Sequence, residues 1–178
     1  MNYFSSDFKL GILGGGQLGK MLLTETRKFD IQTYVLDPSP EAPSRMACNQ
    51  FFQGSLMDYD TVYNFGKQVD VLTFEIELVN LDALEKLEKE GIKVYPSPST
   101  LRRIQNKGRQ KAFYKENNLP TSNFRLFENL KTLVLHCLEG KIPLPFVWKS
   151  TEFGYDGNGV KVVRSVEDLE NLPDLECI

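Results

Sequence analysis

Apolar and polar positions follow one another in blocks along the first half of the chain, and the blocks predict strands that alternate with helices. Residues 8–13 and 69–74 are short apolar runs with the length of buried strands. After the first run, Leu18 and Met21 begin an apolar spacing that is typical of a helix. Alternation of this kind through residues 8–95 predicts an α/β fold, an open parallel sheet with helices on both faces.

The alternation ends at the proline-rich residues 96–99, which predict a boundary between two domains. Residues 1–98 would form the first domain and residues 99–178 the second. Beyond the boundary the predicted elements follow no regular order: a basic helix at 108–117, a strand at 124–127, a helix at 130–138 and two strands within 147–163. The two halves of the chain are therefore expected to differ in organisation.

Composition and charge limit the classes of function. The 178 residues carry a net charge of −3, so we expect no basic surface for nucleic acid or for a membrane. The three cysteines show no C-x-x-C spacing, which suggests neither a disulfide framework nor a zinc site. No apolar run approaches the roughly 20 residues that span a bilayer, and no signal peptide is evident. We expect a cytoplasmic protein.

A turn with the sequence Gly-Gly-Gly-Gln-Leu-Gly at residues 14–19 separates the first predicted strand from the first helix. This G-x-G-x-x-G pattern, with Asp37 at the end of the next strand, is typical of a dinucleotide site, in which a pyrophosphate binds the helix N-terminus. The same turn serves other phosphate-bearing ligands. Two structural alternatives stay open: the glycines allow close packing of helix on strand, and Asp37, which precedes Pro38, is a turn residue.

Two carboxylates and the single histidine are further candidates. Glu75 and Glu77 follow the strand at 69–74, where ligands bind at the edge of a parallel sheet. Of the two carboxylates, we favour Glu75 as the one that faces a ligand. His136 lies among the apolar residues of a predicted helix, so we expect it in the core rather than in a catalytic site.

A second glycine-rich segment lies within residues 147–163, where a strand, a loop and a second strand follow one another. The loop contains Gly154, Gly157 and Gly159, whose backbone amides are free to turn towards an anion. Lys149, at the end of the first strand, would add a positive charge beside the loop. The combination predicts a polyphosphate site, and the structural alternative is a simple surface hairpin.

The order of these features resembles the N-terminal half of an ATP-grasp ligase, and most nearly the 5-(carboxyamino)imidazole ribonucleotide synthase family. The residues that carry the resemblance are Gly-Gly-Gly-Gln-Leu-Gly at 14–19, Leu-Asp-Pro at 36–38, Leu-Thr-Phe-Glu-Ile-Glu at 72–77 and Gly-Tyr-Asp-Gly at 154–157. The resemblance implies an open-sheet, Rossmann-like pre-ATP-grasp domain, followed by the first α+β lobe of an ATP-grasp domain. It also implies an ATP-dependent carboxylation in purine biosynthesis, with bicarbonate and aminoimidazole ribonucleotide as substrates and carboxyphosphate as intermediate.

The resemblance assigns roles by position. The residues implied to bind ATP are Lys107, Lys149, Gly154, Tyr155, Asp156, Gly157, Asn158 and Gly159. The residues implied to bind the substrate nucleotide, some of them shared with ATP, are Gly16, Gln17, Leu18, Glu75, Tyr155 and Asp156. Arg109 or Lys111 could take the place of Lys107. Asn158 departs from the family, which usually has a basic residue at that position of the flap.

Length is the larger departure, because chains of the family are about twice as long. Their second half supplies the adenine-binding hinge, the acidic Mg²⁺ ligands and the basic residues for the substrate phosphate. We therefore expect an N-terminal fragment that is inactive by itself, with no metal ligand and no catalytic residue that we can assign. The resemblance further implies ATP and Mg²⁺ as cofactors of the whole enzyme and a homodimer, and without ATP we expect residues 152–159 to be mobile.

Three other functions stay open at this point. A related ATP-grasp enzyme, of the glycinamide ribonucleotide transformylase or biotin carboxylase type, has a similar order of domains. An NAD-dependent oxidoreductase would use the turn at 14–19 and Asp37, but the sequence offers it no evident partner for hydride transfer. A non-catalytic nucleotide-binding module is the third possibility.

Overall fold

The computed structural model of the chain describes residue 3 and residues 5–152, 154 and 158–178. Packing of the backbone divides the chain into two compact units, Met1–Arg102 and Arg103–Ile178. Each unit has a hydrophobic core of its own. The domain limits expected from the sequence, residues 1–98 and 99–178, stay a prediction.

The first unit is built on a five-stranded parallel sheet, which confirms the predicted fold class. The strands are β1 (Lys9–Leu13), β2 (Gln32–Asp37), β3 (Gln50–Gln53), β4 (Val71–Phe74) and β5 (Lys93–Val94), in the order β3-β2-β1-β4-β5. The helices are α1 (Gln17–Thr26), α2 (Tyr59–Gly66), α3 (Leu81–Lys89) and α4 (Pro98–Ile104). The chain passes from β1 outward to β3 and then returns to the other side of β1, so the strand order reverses between β1 and β4.

Helices cover both faces of this sheet, as the alternation of strand side chains requires. Ile12 of β1 packs in one buried cluster with Leu23 of α1. The next residue, Leu13, belongs to a separate cluster on the opposite face, which contains Val62 of α2 and Leu84 of α3. The side chains named here from both clusters are fully buried. The sheet is therefore packed on both faces, and its loops lie at its edges.

The helices of the first unit begin in two different ways. Asp58 caps α2 by accepting a hydrogen bond from the Thr61 amide at 2.8 Å, and Asn80 caps α3 through the Ala83 amide at 2.9 Å. Helix α1 begins after Gly16, which has no side chain to serve as a cap. Because unpaired amides at a helix N-terminus attract acceptors and anions, this end of α1 is suited to a ligand or to a carboxylate from elsewhere in the fold.

The second unit contains two helices and a two-stranded antiparallel sheet. The helices are α5 (Lys107–Glu116) and α6 (Leu130–Leu138), the strands are β6 (Phe146–Lys149) and β7 (Val160–Val163), and a 3₁₀ turn follows at Val166–Leu169. The predicted strand at 124–127 is reduced to a single bridge between Phe127 and Cys177. Cys177 also bridges Ser150, so the last residues of the chain lie against the end of β6.

The core of the second unit contains Phe127, Leu133, Trp148, Val163, Leu169 and Cys177. His136 lies at the margin of this core, half-buried, with its ring edge-on to Phe127 at 5.5 Å between centroids. Its Nδ1 donates a hydrogen bond at 2.8 Å to the carbonyl of Thr132, which lies one helical turn earlier in α6. In the part of the chain that the structure describes, no helix is both long and apolar enough to cross a bilayer.

Candidate functional site

The glycine turn, residues 14–19, lies where the strand order reverses. Leu13 of β1 pairs with Phe74 of β4, so Gly14 and Glu75 come next on two neighbouring strands at the carboxyl edge of the sheet. Gly14 has φ of +98°, and a Cβ there would lie only 2.4 Å from Glu75 Oε2. A Cβ at Gly16 would lie 3.2 Å from Glu75 Oε1. Glycine at these positions therefore lets the Glu75 carboxylate rest against the turn.

Asp37 holds the same turn from the side of β2. One carboxylate oxygen accepts a hydrogen bond from the Gly15 amide at 2.6 Å, and the other accepts from the Ser39 amide at 2.8 Å. Both oxygens are thus used by the backbone. The dinucleotide interpretation requires this carboxylate for a ribose and the Gly15 amide for a pyrophosphate, so the geometry favours the alternative in which Asp37 is a turn residue.

The electrostatics of the glycine turn also disfavour a phosphate. Burial raises the pKa of the Glu75 carboxyl, and the nearby charges of Asp37 and Glu77 raise it further. Carboxylates therefore surround amides that would otherwise attract an anion. Gln17 and Leu18 are exposed at the start of α1, directly after Gly16. The site is suited to a ligand that donates hydrogen bonds, such as an amine or a sugar hydroxyl.

The sheet of the second unit presents an exposed apolar face, which we call the valine face: Val147, Lys149, Val160 and Val162. Val147 pairs with Val162 across the two strands, and Lys149 pairs with Val160. Val147 is 47% exposed and Val162 44% exposed, whereas Trp148 on the opposite face is buried. An apolar surface beside a single ammonium group is suited to a ligand with a flat base and a phosphate.

The glycine loop, residues 150–159, joins β6 to β7 and contacts a second lysine. Lys107, the first residue of α5, donates from Nζ to the Gly154 carbonyl at 2.9 Å. Ser150 lies inside the loop, and a Cβ at Gly159, which has φ of +65°, would lie 2.2 Å from Ser150 Oγ. Lys111, an alternative to Lys107, instead donates to Ser122 at 2.9 Å and to Thr121. The geometry thus favours Lys107 over Lys111 as the lysine of this loop.

Comparison with known proteins gives the family. Residues 8–105 match the ribonucleotide synthetase preATP-grasp domain family. The chain belongs to this family. Over 165 residues, or 93% of the chain and 29% of the relative, it is 37% identical to a chloroplastic phosphoribosylaminoimidazole carboxylase of Vigna aconitifolia.

Two solved structures from Aspergillus clavatus extend the likeness to the second unit. A carboxyaminoimidazole ribonucleotide synthase complexed with ATP is 31% identical, with a TM-score of 0.83, over 97% of this chain and 47% of that one. An N5-carboxyaminoimidazole synthase in complex with ADP and 5-aminoimidazole ribonucleotide is 29% identical, with a TM-score of 0.79, over 99% of this chain and 47% of that one. The chain thus spans about half the length of these structures, and less of the plant relative.

Within the preATP-grasp unit, the predicted substrate residues Gly16, Gln17, Leu18 and Glu75 lie together at the glycine turn. In the second unit, Lys107 and Gly154 are in contact, Lys149 lies on the valine face, and Asn158 is exposed. Tyr155, Asp156 and Gly157 lie outside the described residues, as does part of the loop expected to be mobile. All of these binding roles stay predictions.

Sequence reasoning missed two polar residues beside Lys107. Asn106 caps α5 by accepting from the Arg109 amide at 2.9 Å, and it donates to Glu152 at 3.0 Å. An asparagine before a basic helix is a capping signal that could have been noticed. No signal could have found its pairing with Glu152, which lies 46 positions away.

Magnesium ligands are not assigned in this chain. Residues 3, 5–152, 154 and 158–178 contain no group of three acidic, histidine or cysteine side chains that could hold a metal ion. The three carboxylates at the glycine turn, Asp37, Glu75 and Glu77, are not such a group.

Proposed function

We propose that this chain supplies the substrate-binding unit and part of the ATP site of an ATP-dependent N5-carboxyaminoimidazole ribonucleotide synthase in purine biosynthesis. In this reaction bicarbonate attacks the γ-phosphorus of ATP, which releases ADP and forms carboxyphosphate. The exocyclic amine of aminoimidazole ribonucleotide then attacks the carboxyl carbon, and phosphate leaves. The names and bound ligands of the similar proteins support the proposal, and the activity would belong to a protein longer than this chain.

On the ATP side, the proposal rests on the second unit. The valine face would pack against the adenine ring, and Lys149, on the same face, would neutralise phosphate charge. Lys107 would add a second charge from the start of α5, where it already contacts the glycine loop. Phosphoryl transfer depends largely on positioning and on neutralisation of developing charge, which lysines and loop amides provide. Mg²⁺ would add further neutralisation, from ligands outside the described residues.

On the substrate side, Glu75 is the residue whose surroundings best fit aminoimidazole ribonucleotide. Its carboxylate lies against the glycine turn and can accept a hydrogen bond from the amine or from a ribose hydroxyl. Because burial and neighbouring charges raise its pKa, a ligand that donates a hydrogen bond relieves an unfavourable arrangement. The raised pKa also makes this carboxylate a better proton acceptor than an ordinary one when the amine is carboxylated.

The observation that carries the proposal is the pair of lysines at the glycine loop and on the valine face. The test is ADP formation with ATP, Mg²⁺, bicarbonate and aminoimidazole ribonucleotide, measured for this chain and for a protein extended to the length of its relatives. We expect turnover that depends on the ribonucleotide in the longer protein only. In that protein Lys149→Met should lower kcat/KM for ATP by about tenfold or more.

A matched control for this variant is Lys161→Met. Lys161 lies on β7 opposite Trp148, and its Nζ donates to the Asp168 carbonyl at 2.6 Å. Its loss should leave kcat/KM for ATP close to that of the unchanged protein. ADP formation without the ribonucleotide, or equal losses for both lysines, would contradict the proposal.

We also infer a homodimer for the whole protein, which the family resemblance suggests. Apolar side chains on one side of α1 support an interface on the first unit: Leu18 is 61% exposed and Met21 63% exposed. Light scattering of the extended protein should give twice the mass of one chain. Met21→Lys should shift the mass towards that of the monomer.

A further inference from the structure

We infer that Asn106 and Glu152 form a hydrogen-bonded link that positions Lys107 against the glycine loop. The inference rests on the proposed nucleotide site, in which Lys107 contacts ATP. Asn106 immediately precedes Lys107, and Glu152 lies in the first part of the glycine loop. The Asn106 side chain is buried, with 8% of the residue exposed, and its Nδ2 donates to Glu152 Oε1 at 3.0 Å.

A backbone hydrogen bond runs beside this link. The Lys107 amide donates to the Thr151 carbonyl at 2.8 Å, so the start of α5 and the start of the loop are joined twice. Thr151 is buried and is fixed on its other side, where Oγ1 donates to Glu176 Oε2 at 2.8 Å. The segment that carries Lys149 to Glu152 is therefore held between α5 and the last residues of the chain. Lys107 has a defined place relative to Gly154 for this reason.

The direction of the hydrogen bond between Asn106 and Glu152 follows from the way in which Asn106 caps α5. Asn106 Oδ1 accepts from the Arg109 amide, which leaves only the NH₂ group to face Glu152. Aspartate would be an equally good cap in isolation, and its charge would suit a helix N-terminus. It would, however, place a carboxylate oxygen about 3 Å from the Glu152 carboxylate, where like charges repel. If Asn106 served only as a helix cap, Asn106→Asp would leave the position of Lys107 unchanged. If Asn106 also holds Glu152, the same substitution should disturb that position.

The same geometry allows the link to be reversed. In a protein that carries both Asn106→Asp and Glu152→Gln, the glutamine NH₂ would donate to the free oxygen of the aspartate. Helix capping by Asp would be kept. Glu152→Gln alone retains an acceptor oxygen for Asn106 Nδ2 and is the conservative control. A return of the wild-type properties of Lys107 in the double variant would support the link. Neither an effect on helix capping, nor a lost charge, nor general destabilisation of the fold predicts such a return.

The experiment measures two properties of the wild-type chain and the three variants. The first is the acylation rate of the Lys107 amine, mapped by mass spectrometry with Lys111 as internal reference. The second is the affinity for ADP, measured by calorimetry on the same variants of the protein extended to the length of its relatives. Asn106→Asp should raise the Lys107 rate about fivefold relative to Lys111 and weaken ADP binding by a similar factor. Glu152→Gln and the double variant should stay within about twofold of the wild type.

The two readouts separate the inference from the proposed function. Unchanged Lys107 acylation in Asn106→Asp, or a double variant as reactive as Asn106→Asp, overturns the link even if ADP binds well. The expected acylation pattern without any binding of ADP upholds the link and counts against the nucleotide role of Lys107. The expected pattern in both readouts supports the link and the nucleotide site together.

Discussion

The two glycine-rich segments look alike in the sequence and differ in their surroundings. The glycine turn is faced by carboxylates, with Asp37 bonded to the Gly15 amide and Glu75 against Gly14 and Gly16. The glycine loop is faced by ammonium groups, with Lys107 bonded to the Gly154 carbonyl and Lys149 on the strand that leads into the loop. Both segments are rich in glycine, but carboxylates lie against the turn, whereas a lysine contacts the loop and the loop's own carboxylate, Glu152, is hydrogen-bonded to Asn106.

The difference shows what a glycine pattern can and cannot predict. Glycines permit a close approach of other atoms, which both segments use. The side chains that make this approach come from other elements: Asp37 ends β2 and Glu75 follows β4 at the turn, and Lys107 begins α5 at the loop. The sign of the ligand's charge is therefore decided by partners that the local pattern does not contain. On this basis we propose that a ligand that donates hydrogen bonds binds at the turn and that a polyphosphate binds at the loop.

The largest effect is expected for Gly14→Ala, which tests whether Glu75 truly confines the turn. The new Cβ would have to adopt the positive φ of Gly14 and would meet Glu75 Oε2. We expect the free energy of unfolding to fall by about 3 kcal/mol, from backbone strain and overpacking together. Urea denaturation followed by circular dichroism measures the change.

Gly91→Ala is the matched control for this variant. Gly91 has nearly the same φ, +93°, and a Cβ there would meet nothing within 4 Å. Because only backbone strain contributes there, the free energy of unfolding of Gly91→Ala should fall by about 1–2 kcal/mol. Equal losses at the two positions would mean that Glu75 moves away without cost and does not confine the turn.

The next effect concerns where a polyphosphate binds. Inorganic pyrophosphate, titrated into the chain labelled with ¹⁵N-glycine, should shift the amide signals of Gly154, Gly157 and Gly159 rather than those of the turn. Lys149→Met should weaken this binding about tenfold, because a charge-assisted hydrogen bond is lost. Shifts centred on Gly14 to Gly16 would reverse our assignment of the two segments.

A smaller effect is expected for Gly159→Ala in the loop. Its Cβ would meet Ser150 Oγ, a small group that can change rotamer, so the extra cost should be only about 1 kcal/mol. Gly140→Ala is the control, since Gly140 has φ of +67° and nothing lies within 4 Å of its Cβ position. Thermal denaturation of both variants measures the difference. If Gly159→Ala and Gly140→Ala lower the stability equally, the loop accommodates the added Cβ at no extra cost and is less tightly packed than the turn.

The sequence predicted the elements of both units better than their contacts. The two strands expected within 147–163 and the helix expected at 130–138 are present in the structure, because glycine, asparagine and apolar spacing mark their ends locally. The strand at 124–127 was wrong except for Phe127, whose partner Cys177 lies near the other end of the unit. Likewise, Glu75 could be placed at the edge of the sheet, but its contact with Gly14 depends on the register of β1 with β4.

The smallest effect, and the most direct test of charge at the turn, is the pH dependence of Glu75→Gln. Burial, followed by the charges of Asp37 and Glu77, raises the pKa of Glu75 above its ordinary value of 4.5. The folded chain therefore binds this proton more tightly than the unfolded chain does. The resulting stability is fully present below about pH 4.5 and is lost as the pH rises through the folded pKa.

Glutamine mimics the protonated acid, so Glu75→Gln should melt at a higher temperature than the wild type at pH 7. The difference should shrink as the pH falls towards 4, where Glu75 itself is protonated. Differential scanning fluorimetry at both values measures it. A variant that is less stable than the wild type at pH 7 would show that the Glu75 carboxylate is held by hydrogen bonds it needs. The turn would then stabilise a negative charge, as we propose for the loop, and the proposed difference in charge preference between the two segments would be wrong.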